Sequence, residues 1–438
     1  MQNYDIGNKV LEFANKSGAD EAEVFISANQ VTSASVRRNL IESARNQQSQ
    51  GLGIRVVKDG AVGFASTNIF NRLEETVKSA IAMAKVRDSD EDWKNLPSNS
   101  KYPSVNGIFS KKVNELELED CISLTKEMID GVCSFSDIIA PSGSFSRMIS
   151  NQLIMNTNGV EVEEKGTAVS GFIDVITTSD IPSTAYDFRI SRDMDIDFYG
   201  IGKEAANLAN SCKNGVSVES GQKDVVFHPF AFSDIMESSF LSSIEADNIQ
   251  KGRSSLTGKL DTDIASRGLT VTDDGILNGG IASSVSDDEG TPSQSTGIIK
   301  DGLLKSYIYD SYTAGKEKRS STGNAVRGSY TSTPSVGTRN VVFDHPASDI
   351  ISEIKDGVFV TNVIGAHTAN PISGDFSVEA RNAFAIKDGQ IEKPIKSLMV
   401  SGNIFELLRN VKGAGDDVRM VGSIITPSIW VSNMNVIG

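Results

Sequence analysis

The spacing of apolar residues predicts that the chain begins in the order helix, strand, strand, helix. The first helix is indicated by apolar residues on one helical face, namely Ile6, Val10, Leu11 and Ala14. Two β-rich runs follow, EAEVFISAN and GLGIRVVKDGAVGFAST, and the second run folds back at Asp59-Gly60. A second helix is predicted from about Asn71 to Lys85, and the polar stretch after it is a linker.

A middle segment is predicted to have helices at both ends and short strands between them. Its first helix starts near Leu116 and turns Thr125 and Met128 inward. Asn158-Gly159 lies between two alternating runs and predicts a hairpin, because Asn-Gly supplies the positive φ angles of a type I′ turn. The last helix is predicted from about Phe198 to Cys212.

From Val225 onward the pattern is mostly β. An Asp-Gly pair between apolar runs recurs in VVKDGAV, VTDDGIL, IIKDGLL, EIKDGVF and AIKDGQI, which begin at residues 56, 271, 298, 353 and 385. This pair favours tight hairpins, so we expect a large, mainly antiparallel sheet or barrel. The predicted fold class is α+β, with an N-terminal α/β domain (1–88), a linker (89–112), a central α+β domain (113–218) and a β-rich C-terminal domain (219–438).

Composition narrows the classes of partner. With 42 Lys plus Arg against 57 Asp plus Glu, the net charge is −15, which argues against a nucleic-acid partner because such binding rests on cationic contacts to phosphates. Cys121, Cys133 and Cys212 are far apart and odd in number, which fits a reducing compartment better than a disulfide framework. No run approaches the ~20 apolar residues of a membrane span. We therefore expect a cytoplasmic protein without a membrane partner.

One predicted helix has the shape of an active-site helix but carries few groups suited to catalysis. It begins after VVFHP, where Pro229 suits a first helical turn, and includes the stretch FSDIMESSFLSSIEADNIQ. With Glu237 close by, its inner side carries Ile235, Ser238 or Ser239, Ser242 and Ala246. A glutamate and serine hydroxyl groups do not replace the His or Cys ligands that zinc sites normally need. A polar-faced helix at a domain boundary is therefore the simpler interpretation.

Other candidate groups are scattered. His228 and His345 each precede a proline and are expected to end strands, whereas His367 lies in the Gly-, Asn- and Pro-rich loop IGAHTANPISGDFS. No two histidines have local metal-ligand spacing. The acidic run from Ser286 to Pro292 is expected to be a solvated or turn-forming loop, with a cation site as the alternative.

Longer ordered motifs carry a family resemblance. The run EADNIQKGRSSLTGKLDTDIASRGLTVTDDGILNGGIASSVSDDEGTPSQSTGIIKDGLLKSYIYDSYTAGK, the run STGNAVRGSY and the run HTANPISGDFSVEARNAFAIKDGQIEKPIK follow one another in the C-terminal half. Together they resemble the TldD/PmbA family, whose members are also called modulators of DNA gyrase. The resemblance implies an N-terminal α/β portion, a central portion and a large β-rich C-terminal domain.

The resemblance also implies proteolysis by a two-subunit assembly. The TldD subunit carries an H-E-x-x-x-H helix that binds zinc together with a later Cys, and the TldE or PmbA subunit lacks these groups. Counting back from Gly252-Arg253-Ser254 puts Glu237 and Ser242 at the ligand positions and Ser238 at the position of the base, while Val421 stands near that of the Cys. The resemblance therefore implies a non-catalytic TldE/PmbA-type subunit without zinc, and a TldD-like partner that holds zinc and cleaves unfolded peptides.

Two alternatives stay open. The chain could be an autonomous homo-oligomer that binds peptides or regulates another protein. It could also be a peptidase with a rearranged metal site around His367 and the acids from Asp287 to Glu289. Under the leading interpretation, the candidates for lining a peptide cleft are the loop residues His367, Asn370, Ser373, Asp375 and Ser377.

Overall fold

One antiparallel sheet unites the first half of the chain. In the computed structural model, which describes residues 3–438, this sheet has the strand order β3-β2-β1-β4-β5-β6. Its strands are β1 (Glu21–Arg37), β2 (Leu40–Lys58), β3 (Ala61–Thr67), β4 (Ile138–Asn156), β5 (Glu161–Thr177) and β6 (Thr184–Ser191). Strand β1 pairs with β4 from Glu23 to Val36, so the N-terminal and central segments share this sheet.

Helices pack on this sheet at its two ends. They are α1 (Asn3–Lys16), α2 (Leu73–Lys85), α3 (Lys111–Asn114), α4 (Leu118–Cys133) and α5 (Phe198–Ser211). Helices α1 and α2 cover an apolar cluster that includes Val24 of β1, and α4 and α5 cover a second cluster that includes Val36. Helices α4 and α5 approach closely at Gly202, where an added Cβ would lie 1.9 Å from the Met128 carbonyl oxygen.

The C-terminal half contains a closed barrel. In the described chain the barrel order is β14-β7-β21-β17-β15, and β14 also pairs with β15, which closes the ring. The barrel strands are β7 (Gly221–Phe227), β14 (Asp356–Ile364), β15 (Asp375–Lys387), β17 (Met399–Asn403) and β21 (Ile429–Ile437), with β16 (Gln390–Pro394) and β18 (Val411–Ala414) attached to β15 and β21. The only parallel pair in this described ring is β14 with β7.

A second sheet packs beside the barrel in the order β10-β9-β8-β13-β20-β19. Its strands are β8 (Thr270–Asp274), β9 (Ser295–Lys300), β10 (Leu303–Leu304), β13 (Asn340–Asp344), β19 (Arg419–Val421) and β20 (Ile424–Thr426). A small hairpin consists of β11 (Ala325–Val326) and β12 (Ser335–Val336). The predicted α+β class with a β-rich, barrel-containing C-terminal region is confirmed.

The short helices of this half are α6 (Pro229–Ser239), α7 (Ala246–Gln250), α8 (Ser311–Lys316) and α9 (Ile404–Arg409). The prediction of one helix through Ala246 was wrong, because α6 ends at Ser239 and a 3-10 turn, Leu241–Ile244, separates it from α7. Polar side chains compete with the helical ladder at this break. Ser243 Oγ donates to the Phe240 carbonyl at 2.6 Å, and Asn248 Nδ2 donates to the Ser242 carbonyl at 2.8 Å.

Asp-Gly turns followed the prediction in part. Asp59, Asp301 and Asp388 each have a left-handed φ, of 51°, 49° and 47°, and each stands before a left-handed glycine in a two-residue hairpin. Asp356-Gly357 instead lies within β14, and Asp274-Gly275 ends β8 and enters a loop, so these two hairpin predictions were wrong. Asp-Gly permits the turn without forcing it, and the Asp356 carboxylate is held in the strand by Lys223 at 2.7 Å.

The predicted type I′ turn at Asn158-Gly159 was also wrong in detail. The hairpin between β4 and β5 exists, but only Gly159 of the pair has a left-handed φ, of 84°. The Asn156 Oδ1 accepts from the backbone N–H groups of Asn158 at 2.9 Å and Val160 at 3.1 Å, so a side chain shapes a longer turn.

Among residues 3–438, no helix has the length and apolar character needed to cross a membrane.

Candidate functional site

Helix α6 rests on the core of the C-terminal half. His228 caps its start, because its Nδ1 accepts from the Phe230 N–H at 3.3 Å, and Pro229 fills the first turn. The fully buried Phe232 meets Phe343 edge-on, with ring centroids 5.1 Å apart. Around this anchor, α6 packs against β14, β19, β20 and the 3-10 turn 366–368.

This packing brings together the elements that carry the positions that the sequence singled out. Glu237 is exposed and Ser238 is half-buried on α6, while Ser242 is half-buried in the turn that follows. Val421 ends β19, which α6 contacts, and His367 lies in the 366–368 turn on which α6 also packs. Helix, strand and turn therefore meet in one region.

The groups in this region do not fit zinc. Glu237, Ser238, Ser242 and Val421 offer one carboxylate, two hydroxyls and an isopropyl group, whereas zinc sites are built from imidazole, thiolate and carboxylate. Throughout residues 3–438, no group of three or more His, Cys, Asp or Glu residues is arranged to hold a metal ion. No catalytic step through zinc follows from this donor set.

The loop after the 366–368 turn is stabilised by its own polar groups. Asn370 Oδ1 accepts from the backbone of Ile372 at 2.9 Å, and Ser373 Oγ donates to the Asp375 carboxylate at 2.7 Å. Asn403 Nδ2 donates to the same carboxylate at 2.9 Å. His367 and Ser377 are exposed. A role for these five predicted residues in peptide binding stays a prediction.

An open cleft lies at the other end of α6, between β6 and the segment that enters β19. A cavity of about 690 Å³ is lined there by His228, Arg419 and Asp417, among others. A second cavity of about 370 Å³ shares His228 and Arg419, and a third of about 600 Å³ shares Asp417 with the first. The second and third also share Phe359, so the three cavities are neighbours, and we call them together the α6 groove.

An ion pair between a half-buried arginine and a buried carboxylate joins the two walls of the α6 groove. Arg419 pairs with the buried Asp187 of β6 and donates to the Phe188 carbonyl at 2.9 Å, while its guanidinium lies 4.3 Å above the Phe230 ring. Burial raises the pKa of Asp187, and the charges of Arg419 and Arg189 oppose that rise. The pair fixes the position of the Arg419 side chain against β6.

His228 is a neutral hydrogen-bonding group in this groove. Burial and the positive charge of Arg419 lower the pKa of His228 to about 4, while the charge of Asp417 acts in the other direction. Since Nδ1 accepts from the Phe230 N–H, the ring proton belongs on Nε2, which makes that atom a donor. The sequence prediction that His228 merely ends a strand missed this role, although a histidine directly before a helical Pro-Phe was a usable clue.

Aromatic side chains form the floor of the groove. The rings of Tyr186 and Phe230 lie 5.4 Å apart, and the His228 ring lies 6.3 Å from Phe359. At the rim, Val418 is 63% exposed and Ile391 is 47% exposed. The groove thus combines an apolar floor with a few fixed donors and charges, a mixture typical of binding clefts.

The acidic run Ser286–Pro292 is largely buried. Of the two expected forms, a solvated or a turn-forming loop, the solvated one was wrong, whereas Asp288 and Glu289 do form a turn. Arg55 of β2 donates to Glu289 at 2.8 Å and to Glu23 at 2.6 Å. The Asp287 carboxylate accepts three backbone N–H groups, at 2.9 to 3.1 Å. Burial and the charge of Glu289 raise the pKa of Asp287 despite these donors. The run therefore joins the first sheet to the C-terminal half.

Comparison with known proteins identifies the family. Three models of the PmbA/TldA metallopeptidase family match the chain. They are the model of domain 1 over residues 22–84, that of the central domain over 111–213 and that of the C-terminal domain over 220–438. The chain belongs to the PmbA/TldD family. The resemblance seen in the sequence is thereby confirmed.

Relatives within the family match almost end to end. An uncharacterized protein of Methanocaldococcus jannaschii, MJ0231, is 32% identical over 427 residues, which cover 96% of this chain and 97% of the relative. A protein of Methanothermobacter thermautotrophicus named metalloprotease is 27% identical, covering 91% of this chain and 88% of its own. Among solved structures, TldE from Thermococcus kodakarensis is 25% identical with a TM-score of 0.91, covering 99% of this chain and 100% of its own.

A structure from Thermotoga maritima, described as a modulator of a DNA gyrase, is similar in fold, with a TM-score of 0.92 at 24% identity. It covers 99% of this chain and 100% of its own.

Proposed function

We propose that this chain is the non-catalytic, TldE-type subunit of a two-chain metallopeptidase that cleaves unfolded peptides. The observation that carries the proposal is the packing of α6 against β19 and the 366–368 turn, the elements that carry Glu237, Ser238 and Val421. The family resemblance implies that these residues, with Ser242, stand where the catalytic subunit has its zinc ligands and base. Similarity to a solved TldE structure and to relatives named metalloprotease supports it. The zinc and the general base would belong to a TldD-like partner.

The α6 groove gives this subunit a way to hold substrate. Its aromatic floor suits the apolar side chains that an unfolded peptide exposes, and the Nε2 of His228 suits a peptide carbonyl. In a folded protein, most apolar side chains are buried and most backbone carbonyl groups are already hydrogen-bonded within the protein, so neither is available to the groove. The exposed Val418 at the rim is apolar surface that a partner chain would cover.

Mixing experiments test the subunit role. The purified chain is expected to form a stable complex with the TldD-like chain of the same cell and to increase that chain's hydrolysis of an unfolded peptide. Val418→Asp is expected to weaken the complex by about tenfold or more, because it buries a charge at the contact. Val86→Asp, at a valine that is 86% exposed on the linker side, serves as the matched control. Unchanged assembly and peptidase activity on mixing would exclude the role.

Metal analysis is an independent check on the same proposal. The chain purified without a tag or chelator is expected to contain far less than one zinc per molecule, because Glu237, Ser238, Ser242 and Val421 are poor zinc ligands. About one zinc per chain, the content of a mononuclear site, would instead support the rearranged metal site around His367.

An autonomous peptide-binding protein is the second candidate. It is supported by the α6 groove itself, where an aromatic floor lies beside the hydrogen-bond donor of His228. Binding of a fluorescent unfolded peptide to the chain alone, with no gain on adding the TldD-like chain, would move this candidate to first place.

A further inference from the structure

A cleft of about 530 Å³ opens between the linker that follows α2 and the segment around α8, and we call it the linker cleft. Linker residues between Lys94 and Ser100 form one wall, and residues of α8 and of the loop 318–321 form the other. Its volume lies within the range of about 300–1,000 Å³ that is typical of small-molecule sites. The linker cleft shares no lining residue with the α6 groove.

The charged side chains that line the linker cleft are all cationic. They are Lys94, Lys318 and Arg319, and no Asp or Glu of the described chain joins them in the lining, although the net charge of the protein is −15. Two carboxylates close by are already engaged. Glu317 pairs with Arg319 at 3.2 Å. Asp92 pairs with Lys316 at 3.3 Å. Within residues 3–438, Lys94 and Lys318 pair with no carboxylate, so the cleft carries uncompensated positive charge.

Two of the three cations are positioned by packing. An added Cβ at Gly315 would lie 3.0 Å from Cγ of Lys94, so the glycine lets the lysine stem lie against α8. Lys94 Nζ donates to the Glu91 carbonyl at 2.9 Å. The Arg319 guanidinium lies 5.8 Å from the centre of the Tyr309 ring, and its pair with a carboxylate uses Nε, which leaves the Nη groups for a ligand. Cations from two separate segments are thus held at one cleft.

Lys318 stands where the backbone does not favour lysine. Its φ is 55°, in the left-handed region that L-residues other than Asn and Asp rarely adopt. In residues 3–438, nine non-glycine residues have such a φ; seven are Asn or Asp, and the other two are Arg38 and Lys318. An Asn at position 318 is therefore expected to fold at least as well as the lysine, which separates the role of the charge from that of the backbone.

Hydroxyl groups supply further donors to the linker cleft. Ser98, Ser100 and Ser320 are exposed in its lining. Phosphate groups suit such a mixture of Lys, Arg and Ser, because each has at least three acceptor oxygens and carries up to two negative charges. A carboxylate, with two oxygens and one charge, would leave most of these donors unused. No aromatic side chain of the described residues lines the cleft, so a nucleobase would find no ring on which to stack.

We propose that the linker cleft binds a small oligophosphate, whose linked phosphate groups are held by Lys94, Lys318 and Arg319. Two or more linked phosphates offer enough negative charge for three cations and enough oxygens for the serine hydroxyls. Because the cleft and the α6 groove have separate linings, the proposal stands whether or not the proposed function holds.

Calorimetric titration of the full-length chain with sodium pyrophosphate, without divalent cations, tests the proposal. The wild type is expected to bind a single pyrophosphate, and to bind sulfate about tenfold more weakly or worse, because sulfate is a single anionic group. Lys318→Asn is expected to weaken pyrophosphate binding by about tenfold or more, since it removes a charged donor. Urea unfolding is expected to show this variant to be at least as stable as the wild type, because Asn tolerates a left-handed φ.

Lys94→Met keeps an apolar stem against Gly315 and is expected to weaken binding in the same way. Arg38→Asn is the matched control, because it removes one positive charge at the other left-handed cation, with φ 50°, outside the cleft. It is expected to bind pyrophosphate as the wild type does. No pyrophosphate binding by the wild type, equal binding of sulfate, or an equal loss in Arg38→Asn would overturn the proposal. Binding of a single-stranded oligonucleotide through the same lysines, without binding of pyrophosphate, would also overturn it and assign the cleft to nucleic acid.

Discussion

At the residue scale, His228 shows how local position sets chemistry. It stands at the junction of β7 and α6, where its Nδ1 caps the helix and its ring lines the α6 groove. Burial and Arg419 lower the pKa of His228 to about 4, so the imidazole is neutral near pH 7. It can therefore donate a hydrogen bond without adding charge to a groove that already holds Arg419 and Asp187.

The lowered pKa predicts a pH-dependent stability. The unfolded chain binds a proton on this histidine below pH 6.5 and the folded chain only below about pH 4, so stability falls as the pH drops from 6.5 to 4. The drop in pKa corresponds to about 3 kcal/mol. His228→Gln is expected to remove this part of the slope in urea unfolding followed between pH 4 and 7. His367→Gln, at an exposed side chain, is the control; an unchanged slope in His228→Gln would contradict the prediction.

At the element scale, α6 depends on one aromatic contact. Phe232 has no exposed surface and meets Phe343 edge-on at an angle of 89°. Sequence spacing predicted the helix and its start at Pro229, but not its end, because the break after Ser239 comes from side-chain hydrogen bonds to backbone carbonyls.

Removing that contact is expected to loosen α6. Phe232→Ala leaves a cavity in the core and is expected to cost about 3–5 kcal/mol of unfolding free energy. Phe109→Ala, at a phenylalanine that is 43% exposed, is expected to cost much less. Urea unfolding followed by circular dichroism measures both, and equal losses would show that α6 is not anchored at Phe232.

At the scale of the whole molecule, a buried ionic cluster joins the first sheet to the C-terminal half. Glu23 and Arg55 come from β1 and β2, while Glu289 and Arg327 come from residues more than two hundred positions later. Burial opposes ionisation of Glu289, but Arg55 outweighs it and lowers the pKa of Glu289. Each charge in the cluster is thus compensated by another.

Breaking this cluster is expected to be costly. Arg55→Met leaves Glu23 and Glu289 buried without their cation, which is expected to lower the unfolding free energy by about 3–5 kcal/mol. Arg37→Met removes an exposed pair with Glu42 and is expected to cost about 1 kcal/mol or less. Unfolding in urea, which does not screen charges, measures the loss of unfolding free energy in both variants. If the loss in Arg55→Met is no larger than in Arg37→Met, the cluster does not stabilise the contact between the first sheet and the C-terminal half.

The sequence by itself determined the α+β class, the helices α1, α2, α4 and α5, three of the Asp-Gly hairpins and the family, because these depend on residues close together in the chain or on long ordered motifs. Only the tertiary structure decided the rest. Arg419 and Asp187 meet across 232 positions, and Glu289 of the acidic run pairs with Arg55 across 234 positions. The spacing of residues along the chain does not predict such contacts, since they form only when separate elements pack and exclude water.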